Sequence, residues 1–388
     1  MKLTQIHIKT HAELDSKIAQ LKGSSAQLVV VFGAVEYFAK AGLAQALKLN
    51  TPQAALFGCS TAGEIAVDRV YDHSCIVTAI NFEDTQVKST TTLIANMDDS
   101  FNAGARLAKA LPAENLAGVL VLGTGVAING SALVKGLESA LPKGTPISGG
   151  LAADAGAFAQ TWTLSDQGCS DKHLVAVGLY GKKVSLSYGT FAGWEPFGPA
   201  RKVTRCEGNV LFELDGERAL DVYKRYLGSH AKDLPGSGLL FPFEMLDGEH
   251  QKQGIFRTIL GISDAEGSLT LAGDIDPNGY LKLMHSSTEK LINGAETAAK
   301  TAQQNHTGTP STALAILVSC IGRKLVMGDR IDEEVEAVAD TLGKNTTITG
   351  YYSNGEIAGT SFSKTAEGSF LGECRLHNQT MTITWISE

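Results

Sequence analysis

Short apolar runs recur along the chain, and each is followed by a stretch with helical spacing and then by a second apolar run. The first group combines a valine-rich run at 28–32, a helical pattern at 37–49 and a second run that ends at Gly58. Apolar runs of about four to eight residues are typical of strands buried on both faces, whereas apolar residues about three to four positions apart are typical of helices. The pattern therefore predicts a strand, a helix and a second strand followed by a glycine turn.

The same order occurs twice more along the chain. The second group lies at 118–122, 131–140 and 146–148, and the third at 314–319, 331–342 and 346–349. Strand patterns follow each turn, and a helical pattern precedes each group, at 11–22, 101–110 and 287–303. Repetition of the same elements in one order indicates duplication of a single unit. The prediction is a mixed α/β fold, in which repeated α-β-α-β-turn-ββ units form mixed sheets covered by helices.

Two of the three turns have nearly the same sequence. Residues 58–65 (GCSTAGEI) and 350–357 (GYYSNGEI) both place two glycines five positions apart and a glutamate directly after the second. The turn of the second unit, at 149–154, is looser and offers Asp154 as its carboxylate. Glycine lets backbone N–H groups approach a ligand, and strand ends in α/β sheets commonly bind ligands. The turns are therefore candidate ligand sites, with tight-turn formation and capping of backbone N–H groups as the structural alternative.

The third unit offers the richest set of binding side chains, because its turn carries two tyrosines and its first strand is followed by a cysteine and an arginine. Aromatic rings supply apolar contact area, and a strand-end arginine is suited to a carboxylate. We predict that this half of the chain lines the principal pocket and that Arg323 faces it, with a salt bridge as the alternative role of Arg323. The candidate ligand-binding residues are Arg323, Cys320, Tyr351, Tyr352, Ser353, Gly355, Glu356, Ser60, Glu64 and Asp154.

Residues 200–285 do not follow the repeated order. They carry instead a hairpin pattern, one helical pattern and several strand patterns, and an aromatic segment with two prolines precedes them at 191–199. A chain of 388 residues suits two domains. We predict an N-terminal domain at 1–199 and a C-terminal domain at 200–388.

Charge and cysteine content narrow the functional class. The formal net charge is −8 at pH 7 and no block of Lys and Arg occurs, which argues against nucleic acid as the main partner. The six cysteines are scattered and form no C-x-x-C pair, which suits a reducing compartment. The N-terminal residues lack the apolar stretch of a signal peptide, and no apolar run approaches the roughly 20 residues that span a bilayer. We expect a cytoplasmic protein without membrane insertion.

Two motifs imitate known chemical sites and lack their decisive residues. Asp274-x-Asp276-x-Asn278 begins like a calcium loop, but its last position is His285 rather than a glutamate, so a hairpin turn is predicted there. Residues 58–63 lack the G-x-S-x-G spacing of a nucleophile elbow, and no histidine pattern accompanies Cys59. We predict neither a metal site nor catalytic residues.

The ordered set of motifs resembles the FIST family of intracellular signal-transduction proteins, which carry paired N- and C-terminal FIST domains. The match covers nearly the whole chain in the family's order. The segments that carry it are GCSTAGEI (58–65), SGGLAADAGAF (148–158), GWEPFGP (193–199), SCIGR (319–323), EEVEAV (333–338), YYSNGEI (351–357) and LHNQTMTIT (376–384).

The resemblance implies a small-ligand sensory protein that signals through a separate protein, with amino acids as proposed ligands. A subset of stand-alone members is described as haem-binding nitric-oxide sensors that regulate a histidine kinase, and this chain has their layout. Because no C-x-x-C-H motif is present, a haem would be b-type, and His377 is the first candidate ligand. The alternative for His377 is a buried, hydrogen-bonded histidine. The alternative functions are an amino-acid-binding sensor, an enzyme acting on an amino-acid-like substrate and a structural adaptor.

Overall fold

The computed structural model describes residues 1–306, 310–359 and 373–388. The helices of these residues are α1 (Leu14–Ile18), α2 (Val35–Ala39), α3 (Leu43–Asn50), α4 (Ser100–Ala110), α5 (Gly130–Ala140), α6 (Ala219–Leu227), α7 (Thr288–Asn305), α8 (Ile321–Met327) and α9 (Asp332–Leu342). The strands are β1 (Lys2–Ile8), β2 (Leu28–Gly33), β3 (Ala55–Ser60), β4 (Glu64–Ala66), β5 (Arg69–Tyr71), β6 (Cys75–Asn81), β7 (Gln86–Leu93), β8 (Leu116–Gly123), β9 (Ile147–Leu151), β10 (Thr163–Ser165), β11 (Gly168–Ser170), β12 (His173–Tyr180), β13 (Ser185–Phe191), β14 (Glu195–Glu207), β15 (Val210–Leu214), β16 (Glu217–Arg218), β17 (Phe243–Leu246), β18 (Lys252–Arg257), β19 (Ile259–Ser263), β20 (Ser268–Leu271), β21 (Tyr280–His285), β22 (Ala313–Cys320), β23 (Thr346–Ser353), β24 (Gly355–Gly359), β25 (Cys374–His377) and β26 (Met381–Ser387).

Three six-stranded sheets are built around the same arrangement of three strands. The first strand of each unit pairs in parallel with the second strand and antiparallel with a strand that follows the turn. These trios are β6-β2-β3, β12-β8-β9 and β26-β22-β23. The predicted mixed α/β class with repeated units is therefore confirmed.

The units exchange strands with one another, which the sequence pattern did not predict. The hairpin β4-β5 of unit one pairs with β23 of unit three, β10 of unit two pairs with β3 of unit one, and β24 of unit three pairs with β9 of unit two. Each unit thus completes the sheet of a neighbour, and the three form a closed ring. Side chains from the first strand of all three units, among them Val30, Leu120 and Ile316, share one buried core cluster.

Helices cover the outer faces of the ring. Alternate residues of the first strands, such as Val31 and Val121, pack outward against helices α1 and α3 in unit one and α4 and α5 in unit two. The predicted helix at 37–49 is divided into α2 and α3, because Gly42 has a φ of +126°, outside the helical range. Among the described helices, none has the length and apolar character needed to cross a membrane.

A glycine at the same position of each unit lets the second strand pass close to the first. A β-carbon on Gly58, Gly149 or Gly350 would lie 2.3, 1.8 or 2.1 Å, respectively, from a backbone carbonyl oxygen of the neighbouring parallel strand. Backbone atoms within a sheet cannot move aside as a flexible side chain can. The glycines of the turn motif are therefore required by packing between strands, whether or not a ligand binds there.

Replacing Gly149 by alanine is expected to lower the free energy of unfolding by about 1–3 kcal/mol, because the new methyl group overlaps the carbonyl oxygen of Val121. Urea unfolding followed by circular dichroism measures the effect. Gly168→Ala is the matched control, since Gly168 also has positive φ (+104°) but would place its β-carbon in open space. Equal losses in the two variants would attribute the effect to backbone conformation alone.

Residues 195–285, called here the insert, form a separate β structure between units two and three. Strand β14 joins its two halves in the sheet order β18-β17-β21-β14-β15-β20-β19, and α6 packs on it. The insert contacts unit three through Gln379, whose Nε2 donates to the Leu239 carbonyl at 2.9 Å and to Thr258 Oγ1 at 3.0 Å. Strand β14 includes position 199, where the sequence analysis places the domain boundary. The division into domains at 1–199 and 200–388 stays a prediction.

Candidate functional site

The glutamates of the two matching turns occupy equivalent hydrogen-bonded cages. Glu64 accepts from Thr61 Oγ1 at 2.5 Å, and its other oxygen accepts from the backbone N–H and the hydroxyl of Ser74 at 3.1 and 2.8 Å. Glu356 accepts from Ser353 Oγ at 2.7 Å and from the N–H and hydroxyl of Thr380 at 3.1 and 2.8 Å. Burial raises the pKa of both carboxyls to about 7. Both side chains are buried and face protein groups rather than open space.

The second unit places a threonine where the other two place a glutamate. In the sheet register Glu64 lies opposite Tyr351, Glu356 lies opposite Gly150, and Thr163 lies opposite Cys59. The expectation that Asp154 supplies the matching carboxylate is therefore wrong, because Thr163 occupies the equivalent position in the sheet. The carboxylate of Asp154 instead accepts three backbone N–H groups of the following loop, from Phe158, Ala159 and Gln160.

Arg323 is fully buried in an ion pair with Glu334. Its Nη2 and Nε donate to Glu334 Oε2 at 2.6 and 3.1 Å, and Nη2 also donates to the Leu291 carbonyl at 2.9 Å. The other oxygen of Glu334 accepts from Ser319 Oγ at 3.0 Å and from the Tyr352 hydroxyl. The expected orientation of Arg323 toward an open pocket is wrong, because residues 321–327 form a helix that turns the side chain into the interior. That Arg323 or Tyr352 binds a ligand stays a prediction. The contacts with Glu334 already satisfy both side chains without a ligand.

The remaining candidates of the turns are also internal. The ring of Tyr351 stacks on Phe32 at 4.6 Å in the shared core. Ser60 donates to the Ala153 carbonyl at 2.7 Å, and Gly355 lies opposite Leu151 in the sheet. Burial raises the pKa of the Cys320 thiol well above its ordinary value, which disfavours the reactive thiolate.

His377 does not fit an axial haem ligand in this conformation. Its side chain is 1% exposed, and its Nε2 lies 3.2 Å from the Ala358 carbonyl oxygen across the strand pair. Burial lowers the pKa of its imidazole to about 4. An axial histidine needs open space on its metal-facing nitrogen for a porphyrin. His377 does not line either the cavity or the groove described in the next paragraph. The haem hypothesis therefore stays a prediction without geometric support.

A cavity of about 530 Å³ lies where the insert meets the ring. The ring contributes residues of α5 and β25, and the insert contributes residues of β17, β18 and the segment at 274–276. The charged side chains of its lining are Lys135, Glu138, Arg257, Asp274, Asp276, Glu373 and Arg375. A larger groove of about 850 Å³ beside α9 is lined by charged groups that are all exposed or half-buried. The cavity between the insert and the ring is the stronger candidate, because its lining includes a buried charged side chain and that of the groove does not.

That buried charge is Arg257, whose side chain is 4% exposed. Its guanidinium donates only to backbone carbonyls, those of Asp274 at 2.9 Å, Phe256 at 3.0 Å and Leu376 at 3.1 Å. Burial lowers the pKa of this guanidinium to about 10. The charge of the nearby Asp274 carboxylate opposes this lowering, but over the described residues no carboxylate forms a direct ion pair with the guanidinium. A buried cation without a direct ion pair is energetically costly, so an anionic group in the cavity would stabilise it.

The hydroxyl of Ser131, at the start of α5, adjoins the same space. Its Oγ is buried and has no hydrogen-bond partner within the described part of the chain. A β-carbon on Gly273 would lie 2.9 Å from Ser131 Oγ and 3.1 Å from the Arg257 guanidinium. Gly273 therefore packs closely against both the hydroxyl and the guanidinium, which brings these two groups together at one end of the cavity that they both line.

The segment that imitates a calcium loop forms one edge of the cavity. Asp274 accepts from Lys135 Nζ at 2.9 Å and Asn129 Nδ2 at 3.0 Å, and Asp276 accepts from the N–H of Asn278 at 2.9 Å. The N–H of Gly279 donates to the Asp276 carbonyl and closes a turn. The predicted hairpin is wrong, because the flanking strands β20 and β21 do not pair with each other and are separated in the sheet by β14 and β15. In the ranges 1–306, 310–359 and 373–388, no three His, Cys, Asp or Glu side chains are grouped to hold a metal.

Sequence reasoning missed the cavity residues, although one signal for them exists. Arg257 interrupts the apolar strand sequence Ile255-Phe-Arg-Thr-Ile259, and an arginine flanked by such residues must be buried with a partner or exposed on an edge. Ser131 and Lys135 carry no comparable signal, because both fit an ordinary amphipathic helix.

Comparison with known proteins gives a family and two distant similarities. A FIST N domain model matches residues 27–217, and a FIST C domain model matches residues 219–359. An uncharacterized protein of Methanocaldococcus jannaschii is 26% identical over 203 residues, which make up 50% of this chain but only 38% of that protein. The structure is also similar to cyanuric acid hydrolase from A. caulinodans, with a TM-score of 0.36 and 10% identity over 99% of this chain and 98% of that one.

Proposed function

Because the chain belongs to the FIST family, we propose that it is a sensory protein that binds a small ligand in the cavity between the insert and the ring. The observation that supports this site is the buried Arg257, which forms no direct ion pair over the described residues. Binding sites in proteins typically lie at such interdomain positions and offer a few fixed polar groups. Membership of a sensory family also favours a binding role over an enzymatic one.

An amino acid is the ligand that the charges of the cavity favour. The cavity offers a guanidinium at Arg257 and a carboxylate at Asp276, and no side chain of the described residues forms an ion pair with either. A zwitterion carries one group for each, so its carboxylate would pair with the cation and its ammonium with the anion. The nitric-oxide hypothesis lacks a comparable observation, because His377 is enclosed by protein.

Signalling would pass to a separate protein, such as a histidine kinase. A ligand in this cavity touches residues of both the ring and the insert, so binding changes how firmly the two are held together. A partner that contacts both would then distinguish the bound from the free protein.

Free amino acids are expected to raise the melting temperature of the purified protein in a thermal-shift screen, because a ligand of the native state stabilises it by mass action. Asp276→Asn is expected to weaken the affinity of the best amino acid about tenfold, since it removes the partner of the ammonium. Asp233→Asn, an exposed position of the insert, is the control. Equal affinities in the two variants, or no response to any amino acid, would contradict the proposal.

The haem alternative is tested on the same preparation. An absorption spectrum after addition of haemin, with and without nitric oxide, detects a Soret band if haem binds. A band that is lost in His377→Ala would favour the haem-dependent sensor over the amino-acid sensor.

A further inference from the structure

Arg257 and Ser131 lie on opposite sides of the boundary between the two parts of the molecule. Arg257 ends β18 of the insert, whereas Ser131 belongs to the first turn of α5 in the ring. Both line the cavity, and both pack against Gly273, so their polar groups lie close to each other. A group bound between them in the cavity therefore contacts the insert and the ring together.

The boundary is also crossed at Gln379 of unit three, whose Nε2 donates to Leu239 and Thr258 of the insert. Its Oε1 is buried and has no hydrogen-bond partner among the residues described. The polar contacts between the insert and the ring therefore leave one acceptor unsatisfied, and a bridging group in the cavity would add to these contacts.

We propose that Arg257 and Ser131 form a carboxylate subsite across this boundary and that an occupying carboxylate holds the insert on the ring. The guanidinium supplies charge and the hydroxyl supplies a donor, which together match the oxygens of one carboxylate. This inference rests on the proposed function. It adds that the carboxylate of the ligand is the group that anchors it and that the insert is the part of the molecule that responds.

A carboxylate fits this subsite better than a phosphate does. The surrounding lining contains the carboxylates of Asp274, Asp276 and Glu138, and one guanidinium balances a single negative charge. A doubly charged phosphate would be repelled by these neighbours and left without a second cation, because Lys135 is paired with Asp274 and Arg375 with Glu373.

Acetate is the probe that isolates this subsite, because it lacks an ammonium for Asp276. At constant ionic strength, replacing chloride by acetate is expected to raise the melting temperature of the wild-type protein. The affinity for acetate is expected to fall about tenfold or more in Ser131→Ala and in Gly273→Ala, whose methyl group would displace the Ser131 hydroxyl and the Arg257 guanidinium from their positions. Arg257→Gln is expected to abolish the response, and its melting temperature in chloride reports whether it has folded.

Arg205→Gln is the matched control, since Arg205 also belongs to the insert and is half-exposed and paired with Glu213, but does not line the cavity. It is expected to keep the acetate response. Hydrogen exchange supplies the second readout: acetate should slow exchange of backbone amides at 255–259 and 376–380 in the wild type and not in Gly273→Ala.

Several outcomes would overturn the inference. An equal acetate response in wild type, Ser131→Ala and Gly273→Ala excludes the subsite, and a response to inorganic phosphate but not to acetate excludes its carboxylate character. Binding of acetate without slower exchange at the boundary excludes the bridging role. Failure of the amino-acid screen with a retained acetate response would reject the proposed function alone, whereas amino-acid binding that survives Arg257→Gln would reject this subsite alone.

Discussion

Replacing Arg323 by alanine is expected to lower the free energy of unfolding by about 3–5 kcal/mol, which is the cost of removing one partner from a buried ion pair. Arg323 and Glu334 are both fully buried, and the variant would leave the Glu334 carboxylate without its cation in the interior. The variant would also leave the backbone carbonyls of Ala192 and Leu291 without their donor. Urea unfolding monitored by circular dichroism measures the loss.

Arg330→Ala is the matched control for this prediction. Arg330 forms ion pairs with Glu289 and Glu333, each at 2.6 Å, but its side chain is 48% exposed, so its loss is expected to lower stability much less than the loss of Arg323. The sequence had suggested that Arg323 faces the principal pocket, where its loss would weaken ligand binding rather than the fold. Similar stabilities of Arg323→Ala and Arg330→Ala would return that interpretation to consideration.

Between about pH 5 and pH 8 the protein is expected to lose stability, and Glu356→Gln is expected to remove part of that loss. The pKa of Glu356 is raised from 4.5 to about 7 by burial, so the folded state holds a proton that the unfolded state releases. A raised carboxyl pKa contributes stability that is present below pH 4.5 and is lost as the pH rises through about 7. The difference corresponds to about 3 kcal/mol for this one group.

Glutamine suits this test, because its amide oxygen can accept from Thr380 and its NH₂ group can donate to the Ser353 hydroxyl. Glu64→Gln should reduce the pH dependence by a similar amount, since its cage is equivalent, and the double variant should remove both contributions. Glu114→Gln, at an exposed position, is the control. An unchanged slope of stability against pH in Glu356→Gln would mean that this carboxyl stays ionised in the folded protein.

The repeated unit and its class were predictable from the sequence, because they depend on local order. Apolar runs, helical spacing and the glycine turns at 58–65 and 350–357 follow from neighbouring residues, and the trios of paired strands agree with them. The equivalence of Glu64 and Glu356 was also visible, since both follow the second glycine of a turn. The family followed from the same motifs and is supported along most of the chain.

Tertiary structure alone decided what those residues do. Strand exchange sets Glu64 opposite Tyr351 and Thr163 opposite Cys59, pairs that are far apart in sequence. Because hydrogen bonding between strands depends on register and not on sequence distance, no local pattern could assign Thr163 to the place expected for Asp154. The cavity depends in the same way on the insert lying against the ring, which brings Arg257 beside Ser131. Local sequence determined the elements and their order, whereas long-range packing determined that Arg323 is buried in an ion pair and that Arg257 is buried without a direct one.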